Sequence, residues 1–178
     1  MKTTSTAALA TALLIGAGAA IALGQANVIT PTSIDGTTTG KARSAYKAAF
    51  GKVMVNRLEG NITRLNFDEV KTEVYLNTRG RGTAIITGND AFKTAGGVGP
   101  CSTYAELKAA FPNLARVPGP DKRIWKSGRL WFRIDNDART ANPADSTVRG
   151  IMLVTAPAPR LARTYIGNTV YDCGGPEY

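Results

Sequence analysis

Six carboxylates are spaced closely enough to share a reaction. Asp68, Glu69 and Glu73 form one group, and Asp121, Asp135 and Asp137 a second. Two carboxyl groups across a cleft can divide acid and base roles in hydrolysis. Here Asp68-Glu69 falls where a hairpin turn is expected, and Asp135-Asn136-Asp137 opens a polar stretch. Solvated turn residues account for both. Asp135-Asn136-Asp137 could also begin a calcium loop, but the Gly and distal Glu of an EF-hand are missing. The chain has no histidine, which excludes Ser–His and Cys–His arrangements. Its two cysteines, Cys101 and Cys173, are too few ligands for a zinc site. In an oxidising compartment they are expected to form a structural disulfide. That bond closes a loop of about 70 residues and contributes about 4 kcal/mol in the chain-entropy treatment. The expectation is a protein that is not an enzyme, with no catalytic residues, no metal site and no cofactor.

Binding is the remaining chemistry. Gly96-Gly97-Val98-Gly99 precedes a helix start and could cradle an anion on backbone N–H groups. It lacks the Lys-Ser/Thr of a phosphate loop, and tight lead-in geometry explains the glycines. Arg116, Lys122, Arg123, Lys126, Arg129, Arg133 and Arg139 interleave with Trp125 and Trp131. If both indoles share a sheet face with Arg133, that face offers stacking surfaces beside cations. The expected binding residues are Trp125, Lys126, Arg129, Trp131 and Arg133. The alternative reading puts one or both indoles in the core.

Two short helices and several strands would position these groups. Ala42, Ala45, Tyr46, Ala49 and Phe50 make a helical stripe, stopped by Gly51. Thr103-Tyr104-Ala105-Glu106 is a capping box. Leu107, Ala110 and Phe111 continue that helix's apolar face, and Pro112 ends it. Ile62 to Phe67 and Glu73 to Leu76 read as strands. So do Arg123-Ile124-Trp125 and Arg129 to Ile134, around a turn at Lys126-Ser127-Gly128. Arg163 to Asp172 reads as a final strand or hairpin.

Tyr46-Lys47-Ala48-Ala49-Phe50 matches Leu107-Lys108-Ala109-Ala110-Phe111, and Arg81 to Thr87 matches Arg149 to Thr155. This predicts an internal repeat, with copies at about 34–88 and 95–156 followed by a strand segment, 157–178. The expected fold class is α+β: two tandem repeats of a short helix followed by an antiparallel β-meander, with the helices packed on one face of the sheet.

The N-terminus carries Lys2, an uncharged apolar stretch from Ala7 to Leu23, and the small residues Gly24 and Ala26. These are the parts of a signal peptide, residues 1–26, cleaved after Ala26 or near Ala22-Leu23-Gly24. The stretch is short for a membrane span, and no other approaches the necessary length. The mature chain, 27–178, is expected to be one secreted domain, extracellular or in the cell envelope, with no transmembrane segment. Its formal charge falls from +9 to +8 with the loss of Lys2. A basic exported surface suits an extracellular or envelope protein, or an acidic polymer. Nucleic acid is not expected, and the chain is expected to be monomeric.

Gly97-Val98-Gly99-Pro100-Cys101-Ser102-Thr103 and Leu107-Lys108-Ala109-Ala110-Phe111-Pro112 resemble motifs in small secreted bacterial proteins of actinobacterial type. With tandem helix-plus-meander copies behind a signal peptide, the chain also resembles the repeat-type beta-lactamase inhibitor proteins. Leu130-Trp131-Phe132 is similar to a strand of that family. The resemblance implies an α+β fold that binds through an exposed sheet face. The inhibitor family has a disulfide within each repeat whereas this chain has two cysteines, so no inhibitory residue is carried over. The expected function is a secreted, non-enzymatic binding module for protein–protein interaction, inhibitor-like in kind. Electrostatic attachment to cell-wall or envelope polyanions is the alternative, and a carboxylate-dependent hydrolase the third.

Overall fold

The computed structural model describes residues 27–119, 123–135 and 146–155, together with Thr164, Ile166 and Cys173. The expected signal peptide, Asp121, Lys122, Asp137 and Arg139 lie outside the described residues.

In chain order the elements are β1 (Val28–Ile29), α1 (Arg43–Phe50), β2 (Met54–Leu58), β3 (Ile62–Phe67), β4 (Thr72–Leu76) and β5 (Gly82–Thr87). There follow β6 (Lys93–Thr94), α2 (Tyr104–Ala110), β7 (Ala115–Arg116), β8 (Ile124–Ser127), β9 (Leu130–Asp135) and β10 (Thr147–Val154). Eight strands form one antiparallel sheet in the order β2-β3-β4-β5-β10-β9-β8-β7. A separate parallel pair joins β1 to β6.

This corrects the expected fold. The chain does not form two tandem helix-plus-meander repeats with helices packed on one face. It is mostly one large sheet with two short helices. β5 and β10 pair directly, Ile151 with Thr87 through Val154 with Ala84, so one ladder runs unbroken across the middle. The helices bury only Tyr46, Phe50 and Leu107. The sheet supplies most of the core, and it buries side chains on both faces. Leu65, Val74, Ile85, Phe132 and Leu153 gather on one face. Tyr75, Ile86, Trp131 and Met152 gather on the other, where Ile166 is also buried. Phe50 and Phe111 also have unlike partners. Phe50 lies 5.3 Å from Phe67 at the end of β3, whereas Phe111 lies 5.0 Å from Phe132 within β9. Of the expected strand or hairpin at Arg163 to Asp172, Thr164 and Ile166 are helical, and its other residues lie outside the described residues.

Local chemistry explains the elements that do form where expected. Gly51 stops α1 at φ 86°, a left-handed conformation that costs glycine little. Thr103 and Glu106 close a reciprocal capping box on α2. Thr103 N–H donates to Glu106 Oε2 at 2.7 Å and Glu106 N–H to Thr103 Oγ1 at 3.2 Å. Hydrogen bonding by Thr103, backbone first, holds the Glu106 carboxyl below its usual range. Cys101 and Cys173 are bonded, with Cα atoms 5.2 Å apart. No helix among the described residues is long and apolar enough to cross a membrane, which says nothing of a β-barrel.

Candidate functional site

The five expected binding residues do not share a face. β8 and β9 turn at Gly128-Arg129, so Trp125 pairs with Phe132 and Trp131 with Lys126. Successive residues of a strand point to opposite faces, so the two indoles lie on opposite sides of the sheet. Trp125 is half-buried, 5.3 Å from Tyr104. Trp131 is only 4% exposed and Arg133 only 2%. Arg129 is half-buried: Nε donates to the Val154 carbonyl at 2.8 Å and Nη2 to Thr39 Oγ1 at 2.7 Å. Lys126 is the exposed member of the set.

Of the candidate carboxylates, Asp135 ends β9, while Asp121 and Asp137 lie outside the described residues. Asp68 and Glu69 sit exposed in the tight turn between β3 and β4. Glu73 accepts from the Tyr75 hydroxyl at 2.6 Å, and its other oxygen lies 3.6 Å from Arg64 Nη1. Burial first, then Glu73, pushes the Tyr75 phenol far above its ordinary range. It stays protonated, and the Glu73 carboxylate it binds links β4 to Arg64 on β3. Among the described residues, no group of three His, Cys, Asp or Glu is placed to hold a metal ion. The glycine run is bonded internally. Val98 N–H donates to Thr94 Oγ1 and Gly99 N–H to Ser102 Oγ, so neither amide is aimed at a ligand.

Three surfaces remain. The first is the edge strand β2, which among the described residues pairs on one side only, with β3. Its Met54 is 52% exposed and Val55 40%; these are the exposed large hydrophobics among the described residues. Exposed Lys52 and Arg57 flank them. A shallow cleft lies at each end. One is formed by Lys52, Met54, Asn66, Asp68 and Glu69, and the other by Arg57, Leu58, Asn61, Ile62 and Thr63. Sequence reading missed this strand. Val53 and Val55 before the Gly60-Asn61 turn were the available signal, since both turn residues take positive φ.

The second is an apolar groove of about 310 Å³ between β1, β6 and the end of α2, lined by Val28, Ile29, Ala110, Phe111 and Leu130. Among the described residues, no charged side chain lines it.

The third is a basic end of the sheet. The β4–β5 turn carries Arg79 and Arg81, whose amides donate to Asn77 Oδ1 at 2.9 and 3.1 Å. Ala42 bridges Arg81, and Gly82 N–H donates to the Lys41 carbonyl at 3.0 Å. Lys41 and Arg43 are thereby held beside the two turn arginines. All four are exposed. The contact of Arg129 with Thr39 adds a further cation nearby. At the opposite end of the strands lie Asp68, Glu69 and Asp90. The short Arg-Gly-Arg turn motif was the available signal for this cluster.

The sequence matches no protein-family model and no curated protein. Among solved structures it is similar to that of the uncharacterized protein yfeY from Escherichia coli, at 15% identity and a TM-score of 0.49. That likeness covers 66% of this chain and 90% of the other.

Proposed function

We propose that the chain is a secreted, non-enzymatic binding module that captures an extended segment of a partner protein by strand addition at β2. The observation that supports this is the open edge itself. An unpaired row of backbone N–H and C=O groups is a template for another strand. Natural edges are usually blunted, yet this one presents Met54 and Val55. Main-chain hydrogen bonds would supply affinity, and the two end clefts would select side chains. The occupant proposed is an extracellular or envelope protein, and the expected disulfide environment agrees with that compartment.

Capture from envelope and culture-medium extracts tests the proposal, with the oxidised chain as bait. A protein retained at about 0.5 M salt, where exposed charge contacts are screened, and lost with Met54→Lys/Val55→Lys supports the edge. Equal retention by that variant, with an unchanged melting temperature, refutes it.

A further inference from the structure

We infer that the basic end of the sheet is a docking surface for a linear phosphate polymer, a role separate from the β2 edge. Lys41, Arg43, Arg79 and Arg81 reach it from two segments, and hydrogen bonds between those segments hold them together. None of the four pairs with a carboxylate among the described residues. Glu59, in the neighbouring β2–β3 turn, is the nearby acidic side chain of the strand turns at this end. Like charges on adjoining segments repel one another over a Debye length of about 8 Å, and a multivalent anion relieves that repulsion. Guanidinium groups present paired N–H donors that match phosphate oxygens. The Asn77 side chain fixes the backbone of both turn arginines, so the turn itself need not be ordered on binding.

The surroundings select the kind of anion. A lipid surface would be gripped by apolar side chains inserted beside the cations. Among the described residues the exposed large hydrophobics, Met54 and Val55, lie instead on the β2 edge. Nucleic-acid bases would stack on exposed aromatic rings. Among the described residues at this end, the aromatic side chain of Tyr46 is buried. What remains is recognition of charge along a chain without bases or tails.

Long-chain inorganic polyphosphate is the probe, titrated against the full chain across a salt series. Each phosphate neutralised on a flexible strand contributes about 0.7 to the log–log salt slope, so four cations predict a slope near −3. Arg79→Glu/Arg81→Glu is expected to weaken binding at least ten-fold and to flatten the slope. Lys108→Glu/Arg116→Glu makes the same charge change elsewhere and is expected to leave affinity within about two-fold. Circular dichroism confirms that each variant is folded. Equal weakening by both pairs would mean bulk charge alone and overturn the assignment. Tighter binding to phosphatidylglycerol vesicles or to a single-stranded oligonucleotide than to polyphosphate would also overturn it. Since Met54→Lys/Val55→Lys leaves all four cations in place, it is expected to retain polyphosphate binding.

Discussion

The Tyr46 hydroxyl occupies the space that a side chain on Gly82 would fill. From there it donates to the Thr38 carbonyl at 3.1 Å and accepts from the Lys41 amide at 3.2 Å. One phenol therefore joins α1, the loop before it and the start of β5. Gly82 adopts no left-handed φ, so closeness alone requires the glycine.

Gly82→Ala should therefore destabilise the fold. The buried Tyr46 hydroxyl and ring leave a methyl group no room, and overpacking of this kind costs about 1–3 kcal/mol. Urea unfolding would read the loss. Tyr46→Phe in the same background should recover part of it, because the hydroxyl is the first atom met.

Alkaline pH should unfold the protein through Tyr75 and Tyr46. Burial raises both phenols in the folded state, and Glu73 raises Tyr75 further. Their folded values lie above the unfolded value near 10, so their contribution is intact below pH 10. It is lost as pH climbs through the folded values. Tyr75→Phe should therefore show a weaker decline in melting temperature above about pH 10 than the wild type.

Reducing the Cys101–Cys173 bond should lower the melting temperature. The two residues are 72 positions apart, which gives about 4 kcal/mol in the chain-entropy treatment. Thiol titration should find no free cysteine before reduction. An unchanged melting curve afterwards would show that the bond adds no stability.

The tryptophans should behave as core residues to different degrees. With Trp125→Phe, the remaining Trp131 should emit at short wavelength and resist acrylamide quenching. With Trp131→Phe, the half-buried Trp125 should be quenched more readily. Trp131→Ala should cost about 3–5 kcal/mol, measured by denaturant titration.

The local punctuation was legible in the sequence. Thr103, Glu106 and Gly51 set helix ends through their own backbone chemistry, and β3 begins and ends as its residues indicate. The binding face was not, and one turn explains why. A three-residue turn at Lys126-Ser127-Gly128 would have put both indoles on one side. The observed pairing of Ser127 with Leu130 moves the turn, and a slip of this kind reverses which face a strand presents. β2 was missed for a different reason. Both neighbours Met54 and Val55 are exposed, so no alternation marks the strand. Pairing between β5 and β10 is non-local, and short-range pattern carries no record of it.

The two margins of the sheet are unequal. At the far margin β7 has two residues and Pro118 follows shortly, a proline that cannot donate to a ladder. A molecule that can accept a strand on one flank and offers almost none on the other does not propagate. Edge-to-edge growth would stop after a single addition, so the association proposed at β2 would yield a discrete complex rather than a fibre.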